Sequence, residues 1–118
     1  MRLLVVEDEF LLAVELQEML ERLGNKIVGP AGRLPEAIAL AENEKLDGAL
    51  LDVNLSTGTS TEVAEILIAR GIPFVFITGY EYKKLPGSLD AVPRLVKPLD
   101  QQRLELLVRT FNSNPVAP

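Results

Sequence analysis

The sequence predicts an α/β fold in which a parallel sheet is covered by helices on both faces. Short apolar runs alternate along the chain with stripes in which apolar residues recur every three or four positions. Parallel strands need crossover connections, which in this fold class usually contain a helix and cross over in a right-handed sense. The 118 residues are enough for one domain with a single core. We therefore expect one α/β domain with a doubly wound sheet of five strands.

The first half of the chain contains three predicted strands and two predicted helices. The strands are the apolar runs at residues 3–6, 26–29 and 48–51. The first run is continuously apolar, as expected of a strand that is buried on both faces. Apolar stripes over residues 12–23 and 34–41 predict the helices. Gly24 follows the first stripe, where a helix should end, and Pro35 suits the first turn of the second helix.

The second half contains two further predicted strands and two predicted helices. The strands are residues 72–78 and 94–96. Thr59 and Glu62 have the spacing of a capping box, which predicts the start of the third helix. Asp100 is expected to cap the last helix, with Leu99 and Leu104 in contact as a hydrophobic staple. Strands and helices thus alternate to the end of the domain.

The composition excludes several classes of function. The chain contains no cysteine and no histidine, so Ser-His-Asp and Cys-His mechanisms, disulfides and thiolate metal sites are impossible. Its net charge of −5 argues against binding to a phosphate backbone, which uses clustered lysines and arginines. No apolar run approaches the roughly 20 residues that span a bilayer, and no signal peptide is recognisable. We expect a cytoplasmic protein that binds neither nucleic acid nor membrane.

Polar residues follow the predicted strands directly, and ligands in parallel-sheet folds bind beyond the carboxyl ends of the strands. The side chains expected at this edge belong to Glu7, Asp8, Asp52, Thr78 and Lys97. Three neighbouring carboxylates repel one another and therefore call for a cation. Oxygen ligands without histidine or cysteine suit Mg²⁺, which keeps part of its coordination shell for water and phosphate. The set predicts phosphoryl transfer to a carboxylate nucleophile, with Thr78 and Lys97 as donors to phosphoryl oxygens.

Four short motifs at strand ends together resemble the receiver domain of two-component response regulators. They read VVEDE, LLDVNL, FITGY and VKPL and begin at residues 5, 50, 76 and 96. The resemblance covers about residues 1–113 and leaves residues 114–118 as a flexible tail. It implies a flavodoxin-like sheet with strand order 2-1-3-4-5. It also implies a cis peptide bond between Lys97 and Pro98.

The resemblance also implies a role for each acidic residue. By the family's pattern, Asp52 accepts a phosphoryl group from a sensor histidine kinase or a phosphotransfer protein. Asp8 binds Mg²⁺ directly and Glu7 assists through water, while Asn54 supplies a backbone carbonyl. Such a domain is not an enzyme acting on external substrates. It has at most self-phosphorylation and autodephosphorylation activity, and it switches conformation for a partner.

Several positions depart from the usual receiver pattern. Arg94 lies three residues before the lysine, where most receivers carry a tyrosine or phenylalanine that reports phosphorylation. The loop after Asp52 lacks the common proline. With the segment PFVFITGY, these features resemble the subclass named for a Phe-Ala-Thr-Gly signature, with Ile77 at the alanine position. Members of this subclass are typically served by HWE-type or related histidine kinases. Tyr80 or Tyr82 could replace the missing ring, and the sequence does not choose between them.

The segment from residue 81 to 92, where most receivers have their fourth helix, is expected to be short, irregular or mobile. Pro86 and Gly87 cost a helix interior roughly 3 and 1 kcal/mol relative to alanine. Apolar residues are sparse here, so little burial is expected to oppose local opening. Because Arg94 is not an aromatic rotor, we expect the signal to pass from Thr78 into this segment.

The residues at the strand ends could also have purely structural roles. Glu7 and Asp8 could cap the first helix, Thr78 could bond to nearby backbone, and Lys97 could be solvated. A haloacid-dehalogenase-like phosphatase resembles this site but has Asp-x-Asp, whereas the amide of Asn54 cannot act as a general acid. A pseudo-receiver would keep the fold without accepting phosphate, and the intact acidic set argues against it. We expect a stand-alone receiver rather than a piece of a longer regulator, and a monomer or weak dimer.

Overall fold

The computed structural model describes residues 1–79, 85 and 87–113. Strands and helices alternate along this part of the chain, as predicted. The strands are β1 (Arg2–Val6), β2 (Lys26–Ala31), β3 (Gly48–Asp52), β4 (Asn54–Leu55), β5 (Gly58–Thr59), β6 (Phe74–Thr78) and β7 (Arg94–Val96). The α-helices are α1 (Phe10–Arg22), α2 (Leu34–Asn43), α3 (Thr61–Ala69) and α4 (Gln101–Ser113). A short 3₁₀-helix covers Gly87–Ala91.

Five of these strands form one parallel sheet in the order β2-β1-β3-β6-β7. The strands β6 and β7 are the fourth and fifth of this sheet along the chain, so the predicted order 2-1-3-4-5 is confirmed. Val6 pairs with Leu51, and Asp52 pairs with Ile77, which aligns the carboxyl ends of the three central strands. The residues that follow these strands therefore meet at one edge of the sheet.

The strands bury alternate residues in two apolar layers, one on each face of the sheet. Leu4 and Phe76 belong to the layer beneath α2 and α3. Leu3 and Ile77 belong to the layer beneath α1 and α4. All four side chains are fully buried, which explains why the strands are apolar at every position. In the part of the chain that the structure describes, no helix is long and apolar enough to cross a membrane.

The helix ends agree with the sequence at some positions and not at others. Asp100 caps α4, since its Oδ1 atom accepts the N–H of Gln102 at 2.9 Å. The predicted capping box of Thr59 and Glu62 is wrong. Ser60 precedes α3 without a side-chain cap, and Thr59 belongs to β5. Thr59 pairs with Asn54 in β4, and its hydroxyl lies 3.0 Å from that of Thr61 rather than bonding to a backbone N–H of the helix.

The loop after Asp52 contains an antiparallel hairpin that was not predicted. In this hairpin, which we call the β4–β5 hairpin, Asn54 pairs with Thr59 and Leu55 pairs with Gly58. Gly58 has a φ of +139°, a region that favours glycine. The Lys97–Pro98 peptide bond is cis, as the resemblance implied.

The segment before β7 is short and irregular in the residues that the structure describes. Gly87–Ala91 form one 3₁₀-helix rather than an α-helix. Leu85 and Leu89 are nevertheless buried in the apolar layer beneath α2 and α3, so burial opposes opening more than the sparse stripe suggested. The switch candidates Tyr80 and Tyr82, and the tail at residues 114–118, lie outside the described residues.

Candidate functional site

Three acidic side chains converge where β1 and β3 end. Glu7 and Asp8 follow β1, and Asp52 is the last residue of the neighbouring strand β3. One carboxylate oxygen from each lies within 4.8 Å of the other two. Glu7 and Asp52 are buried, whereas Asp8 is exposed. The site therefore has a buried base and a rim that solvent can reach.

Lys97 brings a positive charge to this cluster. It follows β7, and its backbone N–H donates to the carbonyl of Thr78 at 2.9 Å. Its Nζ atom lies 3.3 Å from Asp52 Oδ2 and 3.5 Å from Glu7 Oε1. The alternative in which Lys97 is simply solvated is therefore wrong.

The carboxyl group of Glu7 is only partly hydrogen-bonded. Its Oε2 atom accepts the N–H of Glu9 at 3.0 Å, while the buried Oε1 atom accepts no hydrogen bond from the described residues. Burial, with a further contribution from Asp52, raises the pKa of Glu7 to about 7. Burial works to lower the pKa of Lys97, but the charges of Asp52 and Glu7 outweigh it and raise that pKa. The positive charge of Lys97 and the partial protonation of Glu7 near neutral pH thus reduce the repulsion among the three acids.

The β4–β5 hairpin closes the rim of the site through backbone donors. The N–H of Ser56 donates to Asp8 Oδ2 at 2.7 Å, and the N–H of Asn54 donates to Asp52 Oδ1 at 3.2 Å. The N-cap residue of α1 is Glu9, and no side-chain cap is formed there. Asp8 therefore does not cap α1. Glu7 bonds through one oxygen to the backbone of the N-cap residue Glu9, and its other oxygen lies near Lys97 in the shared site.

Thr78 is at the expected strand end, but its hydroxyl is engaged elsewhere. The residue follows Ile77, which pairs with Asp52 in the sheet. Its Oγ1 atom donates to the carbonyl of Gly79 at 2.6 Å. The structure thus brings Glu7, Asp8, Asp52 and Lys97 together, whereas Thr78 makes the local backbone bond of the purely structural alternative.

The donor set fits a hard divalent cation. All three clustered side chains offer oxygen, and the buried Oε1 atom of Glu7 accepts no hydrogen bond in the described part of the chain. Oxygen ligands of this kind suit Mg²⁺. The sequence did not predict that the backbone N–H of Ser56 donates a hydrogen bond to the carboxylate of Asp8. A backbone donor has no residue-type signature, so no signal in the sequence could have identified it.

Comparison with known proteins identifies the family of this chain. Residues 3–109 match the family described as the response regulator receiver domain. The chain belongs to this family. It is therefore a signalling phosphoacceptor domain and not an enzyme that acts on external substrates.

The chain is similar to several receiver-containing proteins. It is 38% identical over 118 residues to the transcriptional regulatory protein PdtaR from Mycobacterium tuberculosis, with 93% of this chain and 58% of PdtaR covered. It is 35% identical over 89 residues to the phyllosphere-induced regulator PhyR from Methylorubrum extorquens, with 73% of this chain and 33% of PhyR covered. The receiver therefore spans between 33% and 58% of the length of these two relatives.

The solution structure of SdrG from Sphingomonas melonis Fr1 is similar over nearly its whole length. The TM-score is 0.82 at 38% identity, with 94% of this chain and 95% of SdrG covered. SdrG and PhyR are receivers of the Phe-Ala-Thr-Gly type, so the predicted resemblance to that subclass is confirmed.

Proposed function

We propose that this receiver takes a phosphoryl group from a phosphohistidine of a sensor histidine kinase, or of a phosphotransfer protein, onto Asp52. The observation that carries the proposal is the position of Lys97 Nζ, 3.3 Å from Asp52 Oδ2 and beside two further acids. Membership of the receiver family supports the same reaction. The product is an aspartyl phosphate, and the domain then changes conformation for a partner.

In this reaction an oxygen of Asp52 attacks phosphorus, and the bond from phosphorus to the donor nitrogen breaks. The imidazole leaves with the electron pair of that bond. Asp52 Oδ1 is held by the N–H of Asn54, whereas Oδ2 contacts the ammonium of Lys97. We infer that Oδ2 is the attacking oxygen. Lys97 then follows the incoming phosphoryl oxygens and offsets their charge.

Mg²⁺ is the metal that the donor set fits best. Asp8, Asp52 and the backbone carbonyl of Asn54 would hold it directly, and Glu7 would assist through water. When bound, the metal supplies positive charge that stabilises the phosphoryl oxygens during transfer. The proximity of the three acids supports this assignment, because their mutual repulsion is relieved by a cation.

Thr78 would have to release the carbonyl of Gly79 before it could contact a phosphoryl oxygen. The Thr78 hydroxyl would then exchange the carbonyl of Gly79 for a phosphoryl oxygen as its acceptor. Phosphorylation of Asp52 would in this way change a hydrogen bond of the backbone that follows β6. Tyr80 and Tyr82 come next in the sequence. This order along the chain supports both tyrosines as switch candidates.

We propose that the protein donor approaches Asp52 across the first turn of α1. Phe10 and Leu11 begin this helix and are 77% and 75% exposed. Two large apolar side chains next to the site suit contact with a protein rather than a small donor. We propose that they contact the kinase, which the subclass resemblance suggests is HWE-type. Phe10→Ala should slow transfer from the kinase relative to labelling by acetyl phosphate.

The remaining features of the proposal follow from the sequence. Residues 1–113 would form the receiver domain, and residues 114–118 would lie outside it. We propose a cytoplasmic monomer or weak dimer that binds neither nucleic acid nor membrane, with at most self-phosphorylation and autodephosphorylation activity. Its net charge of −5 supports the absence of nucleic-acid binding.

Labelling with acetyl phosphate and Mg²⁺, followed by mass spectrometry, tests the assignment of Asp52. Asp52→Asn should abolish labelling, because an amide oxygen is a poor nucleophile. Asp47→Asn is the matched control, since Asp47 contacts the backbone of Arg2 at the other end of the sheet. Unchanged labelling of Asp52→Asn would refute the assignment. Absence of labelling in the wild type would favour a pseudo-receiver instead.

A further inference from the structure

A polar contact at the edge of the sheet ties the 3₁₀-helix to β7. Asp90 Oδ1 accepts a hydrogen bond from Arg94 Nη2 at 2.7 Å and another from the backbone N–H of Leu85 at 3.0 Å. We call these three residues the Asp90 latch. The side chains of Asp90 and Arg94 are 27% and 13% exposed. One carboxylate oxygen of Asp90 thus binds both the guanidinium of Arg94, in β7, and the backbone N–H of Leu85, which precedes the 3₁₀-helix.

The latch connects a buried segment to an edge strand. Leu85 and Leu89 are buried in the apolar layer beneath α2 and α3. Arg94 is the first residue of β7 and pairs with Phe76 of β6. The polar bonds of Asp90 therefore link this apolar segment to the edge strand β7.

The same short strand also leads to the phosphoacceptor. The strand β7 has three residues, Arg94–Val96, and Lys97 follows at once. Lys97 Nζ lies 3.3 Å from Asp52 Oδ2. About 10 Å of extended chain thus separates the latch from the lysine of the site. Only two residues lie between Arg94 and Lys97. A backbone displacement at Lys97 would therefore also move Arg94.

We propose that the Asp90 latch is closed in the unphosphorylated receiver and opens on phosphorylation. The proposal rests on the proposed role of Asp52. A phosphoryl group there adds negative charge, which draws Lys97 from its present contacts and shifts β7. In this proposal, the ion pair of Arg94 with Asp90 responds to the charge on Asp52.

The latch has the properties of an element that can open. A partly exposed ion pair contributes little to stability, and 3₁₀-helices have poorer hydrogen-bond geometry than α-helices. If the latch favours the unphosphorylated state, linkage requires that breaking it favours the phosphorylated one. A variant without the latch should therefore bind a phosphoryl mimic more tightly.

Titration with beryllofluoride and Mg²⁺ tests this expectation. Arg94→Met removes the guanidinium, and Asp90→Asn removes the charge while leaving an oxygen for the N–H of Leu85. Both should bind beryllofluoride about two- to fivefold more tightly than the wild type, the range open to a partly exposed ion pair. Arg109→Met is the matched control. It breaks a pair with Glu105 of 3.1 Å on α4 and should leave the affinity unchanged.

Amide hydrogen exchange at Leu85 provides a second measurement. In the wild type, exchange at this amide should become faster when beryllofluoride binds. In Arg94→Met it should be fast already and respond little. Equal affinities of wild type and Arg94→Met, or exchange at Leu85 that beryllofluoride does not change, would overturn the latch alone. Failure of the wild type to bind beryllofluoride would instead refute the role of Asp52.

Discussion

The carboxyl group of Glu7 is buried beside two other acids, and in the described part of the chain only one of its oxygens is hydrogen-bonded. Burial and the neighbouring Asp52 raise its pKa to about 7, so near neutral pH it is partly protonated. A proton on Glu7, together with the charge of Lys97, limits the repulsion among the three acids. The three acids can therefore lie together without a bound metal. When Glu7 ionises, the site gains a further negative charge that attracts a cation.

Glu7→Gln should change stability in a pH-dependent way. The ordinary pKa of this carboxyl group is 4.5, so between about pH 4.5 and 7 the folded state holds a proton that the unfolded chain has released. Protonation of Glu7 therefore stabilises the folded state relative to the form with ionised Glu7. This stabilisation is fully present below about pH 4.5 and is lost as the pH rises through about 7. In EDTA, the melting temperature of Glu7→Gln should exceed that of the wild type by several degrees at about pH 8.

The two proteins should melt at similar temperatures near the acid end of this window, since wild-type Glu7 is then neutral as glutamine is. Glu65→Gln, on the exposed face of α3, is the control for loss of one negative charge. A constant difference between Glu7→Gln and wild type at all pH values would contradict the raised pKa.

Asp8 and Glu7 should differ in their importance for the metal. Asp8 is exposed at the rim and is expected to touch Mg²⁺ directly, whereas Glu7 is buried against Lys97 and is expected to act through water. Asp8→Asn should therefore weaken Mg²⁺ binding more than Glu7→Gln does. Titration followed by NMR of backbone amides would measure both affinities, and the reverse order would contradict these roles.

At the scale of elements, the sequence predicted the strands better than the connections. Continuous apolar runs identified the buried strands, because both faces of each strand contact a layer of helices. The β4–β5 hairpin was missed because each strand has two residues, too few for any periodic pattern. The capping box at Thr59 failed for the same reason. A local motif was outweighed by strand pairing that the sequence pattern did not reveal.

Gly48→Ala should test how closely α4 packs on β3. A Cβ atom at Gly48 would overlap the ring of Phe111, which belongs to the apolar layer beneath α1 and α4. Overpacking of this kind typically costs about 1–3 kcal/mol of unfolding free energy. Denaturant titration should show that loss for Gly48→Ala, and Phe111→Leu in the same chain should recover part of it.

Gly79→Ala is the matched control for this substitution, since a Cβ atom there would meet no atom of the described residues within 4 Å. It should change the unfolding free energy little. Equal stability of Gly48→Ala and the wild type would mean that Phe111 moves aside without cost.

At the scale of the whole molecule, the site exists because the sheet brings three distant parts of the chain together, at residues 7–8, 52 and 97. Its position could be predicted, since the carboxyl ends of parallel strands meet at one edge. The hydrogen-bond partner of the Thr78 hydroxyl could not be predicted, because a side-chain rotamer depends on local acceptors such as the carbonyl of Gly79. The bond from the N–H of Ser56 to Asp8 was equally hidden, since every residue type except proline carries that donor.

Mg²⁺ should stabilise the entire fold, because its ligands come together only in the native state. A ligand at ten times its dissociation constant contributes about 1.4 kcal/mol to the free energy of unfolding. Below about pH 7, Mg²⁺ has to displace the proton that Glu7 retains. The stabilisation at a fixed Mg²⁺ concentration should therefore be larger at about pH 8 than at about pH 6.

Thermal unfolding with MgCl₂, compared with NaCl at equal ionic strength, measures this effect. The rise in melting temperature should increase with pH in the wild type, because more of Glu7 is already ionised at the higher pH. Glu7→Gln carries no proton to displace, so its smaller rise should be the same at both pH values. Asp47→Asn, far from the site, should behave as the wild type does. A wild-type rise that is independent of pH would separate Glu7 from metal binding and leave Asp8 and Asp52 as the acids that respond to Mg²⁺.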